Sequence, residues 1–144
     1  MLIAIIGENC VGKTTLANRI KERTGAAIYA GNDYLRLEKN PSSALETFKK
    51  MLQNACTAET IIYIITEKEH LQLLPDDAFR IVVTEELDVI KARFQERMKG
   101  TLPLPLEKKL ERNHGMYDDL TCNLKLTHGY DLNDVLSALN LPPQ

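Results

Sequence analysis

The sequence predicts an α/β fold, a three-layer arrangement in which a doubly wound sheet of five parallel strands carries helices on both faces. Three observations predict it. Short aliphatic runs alternate with amphipathic helical patterns along the chain, the order expected of successive βαβ units. The runs Leu2 to Ile6 and Thr60 to Thr66 are apolar almost throughout, as strands covered on both faces are. Finally, no repeat, low-complexity tract or composition shift divides the 144 residues, so one domain over 1–144 is expected.

Leu2 to Ile6 forms the first strand, and a glycine-rich turn follows at once. From Thr14 the period changes to that of a helix, with Leu16, Ile20 and Arg23 along one side and Gly25 placed as its cap. Ala26 to Ala30 reads as a second strand ending in the turn residues Gly31-Asn32-Asp33. Ser42 or Ser43, followed by Glu46, is a capping signal for a helix with Leu45, Phe48, Leu52 and Ala55 on one face. Thr60 to Thr66 is the third strand, and a short helical stretch from Glu67 to Leu74 stops before Pro75.

Arg80 to Thr84 makes the fourth strand, and Glu85 to Met98 a helix with two acids at its start and Leu87, Ile90 and Phe94 inward. Gly100 ends it, Thr101 to Leu106 with its two prolines is a turn, and Glu107 to Arg112 is a short charged helix. Thr121 to Thr127 reads as the fifth strand. Asp131 caps a last helix that turns Leu132, Val135, Leu136 and Leu139 inward.

A composition of 44% hydrophobic and 26% charged residues is that of an ordinary globule. The formal net charge of -2 argues against a general nucleic-acid binder, whose affinity rests on a basic surface. Cys10, Cys56 and Cys122 lack disulfide-framework or metal-ligand spacing and read as reduced thiols of a cytoplasmic protein. The opening apolar run is too short for a secretory or membrane segment, and no membrane partner is expected.

Gly7-Glu8-Asn9-Cys10-Val11-Gly12-Lys13-Thr14 carries the Gly-x4-Gly-Lys-Thr pattern of a phosphate-binding loop, placed where its mechanism requires it, between a strand and a helix. Backbone N–H groups from Glu8 through Thr14 and on to Thr15 can surround a phosphate, and the helix start favours the anion. Lys13 is expected to reach the β- and γ-phosphates of ATP and the Thr14 hydroxyl to coordinate Mg²⁺. Cys10 stands where many such loops carry a further glycine.

Asp33, at the end of the second strand, is placed to accept a hydroxyl proton or hold a metal-bound water, or simply to form the turn. Arg36, one turn on, suits an anionic group of an acceptor or an exposed surface. Arg93 and Arg97, four apart on one helix, can meet an anion together. His70, His114 and His128 lack metal spacing and read as exposed or turn residues, His114-Gly115 as a helix stop. The Glu107, Lys108, Lys109 and Glu111 cluster reads as a solvated face.

Taken together, the loop, the acid after strand two and the arginines after strand four resemble the nucleoside monophosphate kinases and their shikimate- and gluconate-kinase-like relatives. This is a group of small-molecule kinases in the P-loop nucleoside triphosphate hydrolase superfamily, and the resemblance spans nearly the whole chain. It implies a P-loop fold with a short lid over about residues 93–117. It also implies an Mg²⁺-dependent transfer of the γ-phosphoryl of ATP to a small acceptor, a nucleoside monophosphate or similar metabolite, by a monomer or homodimer. Asp33 and Arg36 then serve the acceptor, Arg93 and Arg97 the transferring phosphate, and Arg112, at the distal lid position, the nucleotide.

One family feature is absent: Thr66-Glu67 occupies the end of strand three, where many P-loop proteins carry an Asp. Glu67 can substitute through water, or Asp33 can suffice. The alternative functions are a nucleotide-binding regulatory NTPase and a degenerate kinase fold serving as a binding protein. No base-reading Asn-Lys-x-Asp sequence supports a GTPase.

Overall fold

The computed structural model describes every residue from Met1 to Gln144. Its strands are β1 (Leu2–Ile6), β2 (Ala27–Ala30), β3 (Ile61–Ile65), β4 (Phe79–Val83) and β5 (Leu124–Leu126). Its helices are α1 (Lys13–Thr24), α2 (Pro41–Ala55), α3 (Leu87–Met98), α4 (Leu104–Asn113) and α5 (Leu132–Ala138). All strand pairs are parallel, in the order β2-β3-β1-β4-β5. From β1 the chain crosses to the edge strand β2, returns to β3 beside β1, and then passes to β4 and β5 on the other side. The switch point therefore falls at the carboxyl end of β1, where such sheets bind ligands.

Alternation along β1 sorts the core into two layers. Ile3 and Ile5 face Leu16, Ala17 and Ile20 of α1, Ile90 of α3 and Val135 and Leu136 of α5. Leu2, Ala4 and Ile6 face the other layer, built with Phe48, Leu52 and Ala55 of α2. Every residue of β1 and β3 is buried, as their apolar runs require. On the α2 side Phe48 stacks with Tyr34 at a ring separation of 5.2 Å and meets Tyr63 edge-on at 4.9 Å.

Several boundaries differ from the sequence reading. Asn40, not a serine, caps α2: its side-chain oxygen accepts the Ser42 and Ser43 N–H groups, and Pro41 fills the first helical position. Ala44 occupies the core place given to Leu45, which is half-buried. Arg23 lies outside the α1 stripe, exposed and donating to the Pro143 carbonyl at 3.1 Å. α3 begins at Leu87, so Glu85 stays in the extended segment after β4.

α4 begins at Leu104, because Pro105 lies in its first turn, where proline costs no hydrogen bond. β5 is only three residues long. No helix is long and apolar enough to cross a membrane.

Candidate active site

The glycine-rich loop leaves β1 and turns directly into α1. Gly7 has no room for a side chain: a Cβ there would lie 2.6 Å from the Val83 carbonyl oxygen and 2.7 Å from the Val11 Cγ2. Gly12, the residue before α1, holds φ at 99°. Between them Cys10 adopts a φ of 63°, a left-handed conformation that costs a non-glycine residue about 1–2 kcal/mol. Its side chain is buried.

Lys13 is only 7% exposed, and its ammonium folds back to donate to the Gly7 carbonyl at 2.7 Å and to the Glu8 carbonyl. Burial lowers its pKa to about 8; Cys10, Glu8 and Glu67 act in the opposite sense, while Arg97 adds to the fall. Thr14 and Thr15 are exposed in the first turn of α1. The Thr14 hydroxyl is a solvent-exposed hard oxygen donor, and that chemistry suits Mg²⁺. No cluster of three or more His, Cys, Asp or Glu side chains makes a protein-only metal centre.

A cleft of about 390 Å³ opens on the β4–β5 side of the loop, lined by Cys10, Gly12, Thr15, Arg93 and Arg97 among others. The two arginines thus share a cleft with the glycine-rich loop. Arg93 donates to the Cys10 carbonyl at 3.0 Å and pairs with Glu85 at 3.4 Å. Glu85, its side chain 6% exposed, also holds His128 at 2.6 Å. Sequence reasoning missed Glu85, which it placed in the helix; His128 is the exposed turn residue expected, and only its pairing with Glu85 went unforeseen. A carboxylate just beyond a strand's carboxyl end was the available signal.

A second set of contacts fastens the region after α4 to the loop. Glu8, 8% exposed, accepts the Gly115 N–H at 3.1 Å and holds the His114 Nδ1 at 3.2 Å. The buried Tyr117 hydroxyl donates to the Thr66 carbonyl. Burial, with the charges of Glu67 and Glu8 nearby, pushes the Tyr117 pKa up to about 12. The charged face of α4 is not simply solvated: Lys91 of α3 reaches Glu111 at 2.6 Å and Glu107 at 3.3 Å. The two helices flanking the Gly100 break are therefore bridged in the hairpin.

Asp33 lies on a 3-10 turn beyond β2, two strands from the loop, or roughly 10 Å by strand spacing. Its carboxylate accepts the Ala30 N–H at 2.9 Å and meets Arg36 at 3.5 Å. Arg36 is exposed along most of its side chain. Arg112 is exposed on α4, outside the cleft and without a hydrogen bond or ion pair. His70 corrects the sequence reading: it is buried beneath the turn after β2, its Nε2 bonded to the Asn32 Oδ1 at 3.0 Å. The third and second strands lie side by side, and this brings a residue 38 positions away under the turn.

No protein-family model and no curated protein matches the chain by sequence. Solved structures do match it. A sugar kinase from Janibacter sp. HTCC2649 superposes with a TM-score of 0.63 at 14% identity, over 99% of this chain and 95% of that one. A shikimate kinase from Bacteroides thetaiotaomicron gives 0.62 at 14% identity, over 98% and 99%. A deoxyadenosine kinase from M. mycoides gives 0.59 at 18% identity, over 97% and 99%. These structures are P-loop small-molecule kinases, and the five-stranded parallel sheet of this chain, with helices on both faces, has their fold.

Proposed function

We propose that the chain is a phosphotransferase that moves the γ-phosphoryl of ATP to a small acceptor in the presence of Mg²⁺. The observation that carries this reading is the loop itself: a cradle closed to any side chain at Gly7, a buried lysine held against it, and two arginines lining the adjoining cleft.

Loop N–H groups and the start of α1 bind the β-phosphate, and the Lys13 ammonium, released from the Gly7 and Glu8 carbonyls, follows the β- and γ-oxygens. Thr14 would hold Mg²⁺, which when bound neutralises charge building on the phosphates. Arg93 and Arg97 place positive charge where the equatorial oxygens become more negative, worth roughly 10³–10⁵ in rate for one well-placed arginine. Asp33 and Arg36 stand on the other side of the loop, toward β2. The extended segment after β3 ends in Thr66 and Glu67.

The test is binding of Mg-ATP by fluorescence or calorimetry, with acceptor-dependent ADP release, in the parent and in Lys13→Ala. Loss of binding or near-complete loss of turnover is expected in the variant. Unchanged binding and turnover would overturn the reading. Tight Lys13-dependent binding with no acceptor-dependent release would leave a regulatory nucleotide binder.

A further inference from the structure

Beside the nucleotide cleft the protein contains a second, smaller cavity of about 150 Å³. Glu8 and Asn9 of the loop and Thr66 and Glu67 beyond β3 form its polar side. Phe94 of α3 and Leu106, Leu110 and Met116 from α4 and the turn after it form the apolar side. Lys109 and Asn113 of α4 complete it. Of these, Glu67 and Lys109 are solvent-exposed and neither side chain has a partner within the protein. Glu67 directly follows Thr66, whose carbonyl accepts the Tyr117 hydroxyl.

We infer that this cavity is the acceptor site, that it takes a hydroxylated metabolite of about four to seven carbons rather than a nucleoside monophosphate, and that Glu67 receives the acceptor's proton.

Size is the first argument. Pockets for drug-sized ligands begin at about 300 Å³, twice this volume, and a nucleotide with base, sugar and phosphate belongs to that class. The roof cannot lift freely. Glu8 ties the Gly115 N–H and His114 to the loop and Tyr117 ties the same segment to the Thr66 carbonyl, while Lys91 braces α3 against α4 within the roof. Leu110 is itself buried in the core.

Chemistry is the second argument. The Asp33 carboxylate is already engaged by the Ala30 N–H and Arg36, and Asp33 does not line the cavity. Glu67, exposed to solvent, does line it. In the step, the acceptor hydroxyl oxygen forms a bond to the γ-phosphorus while its proton passes to the Glu67 carboxylate. The bond from the γ-phosphorus to the bridging oxygen breaks, and its electron pair leaves with ADP. The product is a phosphomonoester, and Glu67 then returns its proton to water.

The inference rests on the nucleotide reading, and its test separates the two. Isotope-labelled protein saturated with Mg²⁺ and a non-hydrolysable ATP analogue is titrated with polyols, aldoses and hydroxy acids of about four to seven carbons, and separately with AMP, CMP, GMP and UMP. At least one small compound is expected to shift the amides of Asn9, Glu67 and Asn113 and, with ATP, to release ADP; the four nucleotides are expected to do neither. With that compound, Glu67→Gln should lower kcat by about 10²-fold or more with little change in KM, and Asp33→Asn should lower it far less.

Failure of the analogue to bind would overturn the nucleotide reading and this one with it. With the analogue bound, the acceptor proposal fails on any of three results: nucleotide-dependent ADP release, no shift from any small compound, or near-parent turnover in Glu67→Gln.

Discussion

The Arg93 guanidinium donates to the carbonyl of Cys10, the one non-glycine residue of the glycine-rich loop held at a left-handed φ, and the same side chain pairs with the buried Glu85. α3 is thereby fastened to the loop at its most strained residue. On the proposed function, an arginine in this place acts on both the loop's shape and the transferring phosphate.

Arg93→Ala should therefore lower turnover by about 10²-fold or more while costing only about 1 kcal/mol of stability, since the side chain is partly exposed. Steady-state kinetics and urea denaturation of the same preparation check this. A variant with parent turnover would reduce Arg93 to a structural tie.

Gly7→Ala should be far more damaging than its one added methyl suggests. The new Cβ would meet a backbone carbonyl at 2.6 Å, and neither β4 nor the loop can shift without disturbing the sheet. Loss of nucleotide binding with a stability loss of about 2 kcal/mol or more is expected, read by denaturation and calorimetry. Near-parent behaviour would mean that the loop is not held as described.

Lys13 sets a pH dependence whose sign follows from its lowered pKa of about 8. Between that value and the usual 10.5, the unfolded chain carries a proton that the folded chain lacks, so this residue's contribution to stability rises with pH across that window. A phosphate beside Lys13 favours the charged form. Nucleotide binding at about pH 9 should thus take up a proton, and affinity should weaken as pH climbs above about 8.

Calorimetry in two buffers of different ionisation enthalpy measures the uptake, and no proton exchange at that pH would contradict a buried lysine at the site. Tyr117, raised to about 12, has the opposite sign: its contribution is complete below pH 10 and is lost as pH rises through 12.

Glu8→Ala removes the acceptor of the Gly115 N–H and the partner of His114. A stability loss of about 1.5–3 kcal/mol is expected, because a buried carboxylate accepting a backbone N–H is a charge-assisted bond. Amide exchange at Gly115 should quicken by at least tenfold, or about 1.4 kcal/mol of local stability, and Glu8→Gln should restore part of the protection. Unaltered exchange in the alanine variant would show that other contacts hold this segment.

The layers of the fold were legible in the sequence because burial leaves a periodic trace. β1 and β3 are buried on both faces and read as unbroken apolar runs, while α5 repeats leucines and valine at helical spacing. β5 was harder to delimit, since only three residues pair and one of them is exposed. The cap of α2 was misassigned because Asn40 and the two serines after it are all capping residues, and only the conformation of Asn40 selects among them.

By itself the sequence determined the order of elements and the place of the glycine-rich loop, whose pattern is carried by consecutive residues between one strand and one helix. Tertiary structure alone decided what surrounds that loop. Glu8 meets Gly115 from 107 positions away, Arg93 meets Cys10 from 83, and His128 meets Glu85 from 43. No local pattern encodes such pairs, because parallel strands bring their carboxyl ends together only after the crossovers have been made.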